Sequence, residues 1–364
     1  MNALLSEQGL RAAWETFESE QLKEIAGLGL HVLGGCPVGR RLITLASGGE
    51  RVMSPRLHTE LAGMSLENPV LVGAGWDKKG WAVDGLYALG FAGTEVGSVL
   101  AHPQEGNPRP RMWYRRGAAL NRLGFNSPGM EQVAKCLSAQ ERPGIVGVSI
   151  GKNKLTPDDQ APWAHAAVAR GLYDYADYFV VNVASPNTPG LRNLLKPGPL
   201  TDIVLAVKEA LCAKGAKPLF VKTTVDLSLQ DLEAVIKVCL ENGVTGIVDS
   251  NSTVDDDLKS LYGWQGEEGG LSGDVGEFRQ RANERMKVIF RLTKGTELQR
   301  IGVGAINSAA SAIERLQAGA QAVQVVTGIR QRKARIARDI NQGILDYLST
   351  SGHENVQEIV GEAS

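Results

Sequence analysis

Cysteine is scarce. The chain has four in 364 residues, Cys36, Cys136, Cys212 and Cys239, and none is placed to form a CxxC pair. That excludes a cysteine-built zinc or iron–sulfur centre and the disulfide framework of a small secreted domain; it points to reduced thiols in a cytoplasmic protein. Excess charge is missing as well. Lysine and arginine number 39 against 40 acids, a net charge of -1, with no basic run. The field that draws a protein to nucleic acid is therefore absent. No apolar run reaches the roughly 18 residues of a spanning helix. The first residues, MNALLSEQGLRAAWETF, carry acids among the apolar positions and lack the apolar segment of a signal peptide.

Glycine is plentiful, at 43 residues, which suggests many tight turns. Between the turns lie eight short apolar runs: PVLVGAG (69–75), AGTEVGSV (92–99), GIVGVSI (144–150), DYFVVNVA (177–184), PLFVKT (218–223), VTGIVDS (244–250), RIGVGA (300–305) and AQAVQVVT (320–327). They are continuous rather than alternating, as in parallel strands buried on both faces. Helical spacing fills most gaps, as in AVDGLYALG, DIVLAVKEALCAK, LQDLEAVIKVCLENG and AASAIERLQAG, the last with Ser308 as N-cap and Gly319 as stop. Eight β–α units within residues 51–350 predict a (β/α)8 barrel; a doubly wound open sheet is the competing arrangement. Residues 351–364 read as a tail.

Residues 1–50 lie outside the repeat. Leu5, Leu10, Trp14, Phe17, Leu22, Ile25, Leu28 and Leu33 give a helical spacing over 4–33, and CPVGRRLITLASGG reads as a second helix after a proline turn. Periodicity alone favours a helical cap on the barrel; the alternative is a lip that touches a membrane surface.

In a barrel the working face is formed by the C-terminal ends of the strands. Lys78, Ser98, Asn182 with Ser185, Lys222, and Ser250 with Asn251 all fall there. One such residue could cap a turn; their convergence calls for a ligand. EEGGLSGD, GVGAINSAAS and VVTG follow strands six, seven and eight, where exposed backbone N–H groups commonly bind phosphate. Glycines alone could simply serve turns, and GVGAIN lacks the third glycine of a dinucleotide fingerprint. Position in the barrel carries the phosphate reading.

Lys78 and Lys222 each follow an apolar strand. A buried ammonium is costly unless it meets an anion; the plain alternative is a lysine snorkelling to the surface. Asn121, Asn182, Asn187 and Asn251 sit at or after strand ends. Carboxamides donate and accept, so a cluster of them suits a cyclic imide or ureide, though each alone is more simply a turn residue. No histidine lies beside these motifs, which leaves Ser185 as the candidate base.

Over residues 69–328 the motifs GAGWDKKG, EVGSV, HPQEGNPRPR, NRLGFNSPG, IGKNK, NVASPNTPGLR, VKTTVDL, SNSTV, GGLSG and IGVGAINS run in one order. In them the chain resembles the dihydroorotate dehydrogenases of the quinone-using class 2. The resemblance implies a barrel that binds FMN at the strand C-termini. It implies oxidation of (S)-dihydroorotate to orotate in pyrimidine biosynthesis, with a base taking the C5 proton and a hydride passing from C6 to flavin N5. Ser185 matches the base, and serine there indicates class 2. Asn121, Asn182, Asn187 and Asn251 match the residues that hold the substrate, with Ser252 and Phe125 beside them. Lys78 matches the lysine near flavin and substrate, and Lys222 the one that steadies the reduced flavin's charge. Ala74, Gly75, Ser98, Ser250, Ser272, Gly273, Gly304 and Thr327 match FMN contacts; no metal is implied. The amino-terminal helices match an extension that forms a tunnel to the membrane quinone. This moves the expectation for residues 1–50 from cap to lip, and places the protein in the cytoplasm, peripherally on the inner membrane face.

Several positions depart from the family pattern. Ser149 stands for the usual Asn and is expected to weaken one flavin contact. Val225 stands for Pro, and Ala184 for a Ser beside the base. At the acceptor end Val326 replaces Tyr, Tyr114 replaces Arg (with Arg115 adjacent), and IRQRKAR replaces a Phe and a Gly-Pro. The substrate side is intact and the acceptor side altered. That leaves dihydroorotate chemistry with an acceptor other than an ordinary quinone, or a paralogue acting on another cyclic substrate. Two other classes compete: a flavin-free lyase or isomerase using the same phosphate site, and a silent scaffold, which would have no need of Ser185, Lys78 and Lys222.

Overall fold

The computed structural model describes residues 7–364, with side chains from Glu20 onward except Leu22. Leu5 therefore lies outside the described residues, as do the side chains of Leu10, Trp14, Phe17 and Leu22.

Eight parallel strands close into a barrel: β1 (Val70–Val72), β2 (Gly93–Val99), β3 (Ile145–Ile150), β4 (Tyr178–Val181), β5 (Leu219–Thr224), β6 (Gly246–Asn251), β7 (Gln299–Val303) and β8 (Ala322–Val325). Each pairs with its neighbour in chain order, and β8 returns to β1 through Val323–Val70 and Val325–Val72. All eight fall on the predicted runs, and closure rules out the open sheet. The runs are continuous because both faces are buried. Inside, Leu71, Val180, Phe220, Val248 and Ile301 pack together; outside, Val221 and Ile247 pack with Val204, Val207 and Val235 of the surrounding helices. Burying each such side chain stabilises the fold by about 1.5–3 kcal/mol.

The described helices are α1 (Glu7–Gly34), α2 (Pro37–Ala46), α3 (Val83–Ala88), α4 (Met130–Ser138), α5 (Ala161–Gly171), α6 (Pro197–Cys212), α7 (Leu229–Glu241), α8 (Asp256–Ser260), α9 (Gly276–Thr293), α10 (Ala309–Gln317), α11 (Thr327–Arg332) and α12 (Ile336–Ser351). Ser308 caps α10 through its side chain, with the Ser311 amide donating at 3.3 Å. Gly319 follows that helix in a left-handed conformation.

Three additions complete the barrel. A hairpin, Thr59–Leu61 with Met64–Leu66, places Leu61 and Leu66 in the interior cluster and closes the bottom. At the top, Met112–Arg115, Ala118–Asn121 and Gly270–Gly273 form a three-stranded antiparallel sheet that sequence reading missed. It sets Asn121 opposite Gly270. Residues 352–364 pack on the barrel: Val356 and Ile359 are buried, and the Gly361 and Ala363 amides donate to the Leu316 and Gln317 carbonyls.

Helices α1 and α2 lie against the top. Leu30 approaches Gly85 of α3 so closely that a Cβ there would be 2.5 Å from the Leu30 carbonyl oxygen. Glu20 receives Arg111 at 2.7 Å and sits 3.5 Å from Arg109, while His31 Nδ1 lies 2.8 Å from the Trp81 carbonyl oxygen. Yet Ile25, Leu28, Val32, Val38, Leu42 and Leu45 are exposed. The apolar spacing that first suggested a cap thus marks an outward face as well. Among the described residues, no helix is long and apolar enough to cross a membrane.

Candidate active site

One cavity opens at the C-terminal ends of the strands, with about 1070 Å³ of space out to its mouth. Every candidate catalytic, substrate-binding and flavin-binding residue lines it: Ser185, Lys78 and Lys222; the four asparagines, with Phe125 and Ser252; and the eight flavin matches from Ala74 to Thr327. The ends of the strands and the loops that follow them bring most of these together, while Asn121, Ser272 and Gly273 come from the three-stranded sheet at the top.

The carboxamides form two pairs. Asn187 Nδ2 donates to Asn121 Oδ1 at 3.0 Å, and Asn251 Nδ2 to Asn182 Oδ1 at 3.4 Å. Asn182 also donates to Ser98 Oγ at 2.8 Å. Each pair retains donor and acceptor capacity for a ring that alternates C=O and N–H. Ser185 Oγ accepts from the Asn187 backbone amide at 3.3 Å.

Arg192 holds this loop, a role the sequence did not disclose. Its guanidinium donates to the Ala184 carbonyl at 3.1 Å, the Ser252 carbonyl at 3.3 Å and Asp226 at 2.9 Å. Asp226 in turn accepts from Thr253 Oγ1 at 2.5 Å. The loops carrying Ser185 and Ser252 are thereby fixed to each other.

The lysines differ. Lys78 follows a turn organised by buried Asp77, which accepts from the amides of Lys79, Gly80 and Ala82 at 2.9–3.1 Å. Lys78 Nζ donates to Asn126 Oδ1. Burial pushes its ammonium well below the ordinary lysine value, and Lys23 and Arg111 push the same way. Lys222 rises from β5 at the floor, 5 % exposed, with Glu95 3.9 Å away.

At the far end Gly273, Gly304, Ser272 and Thr327 converge. The two hydroxyls are 3.5 Å apart. Gly304 has φ +95, and a Cβ there would press on Phe278 at 3.0 Å, so the backbone can follow the cavity wall only as glycine. Two cations at one end and a hydroxyl- and glycine-lined pocket at the other fit a flavin with a phosphate tail.

The departures are resolved locally. Ser149 does not line the cavity; it is buried behind Ser98, with the two Oγ atoms 2.9 Å apart. Val225 donates its amide to Ser250 Oγ at 2.8 Å, a bond proline could not make. Ala184 is fully buried. Tyr114 stacks under Arg330 of the IRQRKAR segment, 4.2 Å from the ring centre, so two departures meet. Arg115 turns away to the Tyr262 carbonyl at 2.7 Å. Val326 lines the cavity.

Sequence reading missed four polar residues here. Gln324, Asn307 and Gln331 line the cavity, with Asn307 Nδ2 donating to Gln331 Oε1 at 3.0 Å. Lys23 of α1 donates to the carbonyl of cavity-lining Gly75, and burial pushes its amine down to about 8. Gln324 sits inside an apolar run, and the register of Lys23 is set by tertiary packing; neither leaves a local signal.

Residues 56–348 match the family model described as dihydroorotate dehydrogenase. The chain is 39 % identical to the dihydroorotate dehydrogenase (quinone) of Natronomonas pharaonis, covering 92 % of this chain and 93 % of that one. It is 39 % identical to the protein of the same name from a Roseiflexus species, covering 94 % of each. Among solved structures, DHODH of Eimeria tenella in complex with ferulenol superposes with a TM-score of 0.79 at 30 % identity, over 88 % of this chain and 93 % of that one. The ligand-free form gives 0.80 at 31 %, over 89 % and 98 %. A match across nearly the whole barrel, on a closed eight-stranded fold with its polar residues gathered at one mouth, places this chain in the dihydroorotate dehydrogenase family.

Proposed function

We propose that this protein oxidises (S)-dihydroorotate to orotate in pyrimidine biosynthesis, with FMN as its cofactor. The observation that carries the reading is that two carboxamide pairs, the Ser185 hydroxyl, Lys222 and Lys78 all line one cavity. A flavin-free lyase leaves the two lysines without a task, and a silent scaffold leaves the fixed Ser185 loop without one.

Bound in this cavity, FMN supplies the two-electron acceptor for the hydride that leaves substrate C6. The protein does the rest. Asn121 with Asn187, and Asn182 with Asn251, bind and orient the ring through its alternating donors and acceptors. Ser185 Oγ takes the C5 proton. A serine is a weak base by itself, so its position matters: the Asn187 amide and the Arg192 clamp hold the loop that carries it. Lys222 presents positive charge at the floor, and Ser272, Thr327, Gly273 and Gly304 receive the phosphate.

The electrons would then pass to a quinone-type acceptor. Helix α1 adjoins the cavity through Lys23, which donates to the carbonyl of cavity-lining Gly75, and Val326, where the family has Tyr, lines the cavity. The exposed apolar faces of α1 and α2 serve as the contact with the inner membrane surface where such an acceptor is dissolved.

Anaerobic titration of the purified yellow protein with dihydroorotate tests the substrate half. Prompt bleaching of the visible flavin band is expected. A yellow protein that stays yellow overturns the substrate reading, and a colourless one overturns the cofactor. Reoxidation by a short-chain quinone, compared with a soluble dye and with fumarate, then tests the acceptor.

A further inference from the structure

Below the cavity floor the barrel interior holds a carboxylate. Glu95 of β2 is 0 % exposed. Its Oε2 accepts from Gln324 Nε2 at 2.5 Å; its Oε1 lies 3.9 Å from the Lys222 ammonium and has no hydrogen-bond donor among the described residues. In the same layer the Tyr178 hydroxyl lies close enough to interact with Glu95 and Gln324, although neither it nor Gln324 Oε1 makes a hydrogen bond of full geometry. Burial, and next the charge of Glu95, hold the Tyr178 phenol well above its ordinary value.

Elsewhere the interior is filled by Leu71, Val180, Phe220, Val248 and Ile301. A carboxylate among them is less stable than a hydrophobic residue of equal size unless a cation and donors compensate it. Lys222 is the only cation within 4.0 Å of Glu95 among the described residues. Lys222 makes no hydrogen bond of its own to the described protein, and it lines the cavity. Asp249 of β6 also lies in the field of Lys222, but it accepts from Thr223 Oγ1 at 2.6 Å and lies in the field of Arg285 and Arg315 as well.

We propose that Glu95 is a positioning residue for this reaction: it holds the Lys222 ammonium, as a charge, at the cavity floor, and so sets how readily the bound flavin takes electrons. Gln324 fixes the second carboxylate oxygen, so that Glu95 cannot turn away from Lys222. Positive charge beside a group that gains electrons makes it a better acceptor, and the effect is large where water is excluded. The inference rests on the flavin reading given above.

The test is the dihydroorotate-to-orotate ratio that half-reduces the flavin, measured on the holoenzyme as a function of pH for wild type, Glu95→Gln and Glu95→Asp. Without its counter-ion the buried Lys222 charge is uncompensated and no longer held at the floor. The other ionisable groups that face it are Tyr178, Asp249 and Glu95 itself, and only the last is altered. In Glu95→Gln the ratio needed is expected to rise by at least about tenfold relative to wild type between about pH 6 and about pH 9. Glu95→Asp, which keeps the charge but draws it back, should show a smaller rise. Lys222→Met combined with Glu95→Gln should behave as Lys222→Met alone, because the carboxylate acts only through the lysine. A Glu95→Gln ratio that stays within about twofold of wild type across that range overturns the proposal. If Glu95→Gln retains no flavin, the Glu95→Asp profile decides by the same criterion. A colourless wild type overturns the flavin reading and this inference with it.

Discussion

Ser185 is where a single side chain separates binding from chemistry. Its hydroxyl contacts the protein through the Asn187 amide, and the loop is held by Arg192 rather than by Ser185 itself. Ser185→Ala should therefore leave flavin content and orotate binding intact, while anaerobic reduction by dihydroorotate slows by about 10²- to 10⁴-fold, the usual worth of a positioned base. Stopped-flow bleaching reads this directly; a fall of less than about threefold would remove Ser185 from the role of base. Much at this scale could be read in the sequence. A lysine or asparagine directly after an apolar strand has one place to go in a barrel, so Lys78, Lys222 and the four asparagines could be located before their geometry was known. Gln324 and Glu95 could not. Each lies inside a strand where a polar residue has no local cause, and each is explained only by a partner on another strand.

Among the elements, the eight strands and most helices between them announced themselves, because burial on both faces leaves a continuous apolar run. The three-stranded sheet at the top did not. Its strands are only four residues long and show no alternation; the tight Arg116–Gly117 turn joins two of them, but the third pairs with Asn121 through Gly270, 149 residues away. Helix α1 is a mixed case: its spacing predicted a helix but not which side would face the barrel. Lys23 marks that side, with a consequence in pH. Burial holds its amine at about 8, against 10.5 for an ordinary lysine, while Glu20, Asp77 and Glu24 pull it partly back. Between those values the unfolded chain binds more protons than the folded one, so stability rises with pH across the window. Below about 8 the cost of burying the charge is fully present. Lys23→Met removes that cost. Relative to the variant, wild type should gain up to about 3 kcal/mol between about pH 7.5 and about pH 10.5, read from denaturant midpoints. A constant difference across that range would show that Lys23 is solvated and that α1 does not dock as described.

The molecule as a whole presents two unlike faces at the cavity end of the barrel. One is the polar mouth; the other is the outward side of α1 and α2, with Val38 72 % exposed and Leu45 64 %. Exposed apolar residues grouped on one helical hairpin are unusual for a surface that meets only water. The net charge of -1 supplies no general attraction to an anionic bilayer. The proposed membrane contact should therefore depend on apolar area, and vesicle binding should change little between low and moderate salt. Burying one such side chain contributes about 1.5–3 kcal/mol when complete. Replacing Val38, Leu42 and Leu45 together by Glu should thus lower partitioning onto neutral vesicles by at least about tenfold, even if each is only partly immersed. The flavin should still bleach with dihydroorotate at the wild-type rate, since none of the three lines the cavity. Co-sedimentation with vesicles and anaerobic bleaching, measured on the same preparation, separate these effects. Loss of bleaching would mean that α2 shapes the cavity rather than the membrane contact, and unchanged partitioning would leave the exposed face without the role proposed for it.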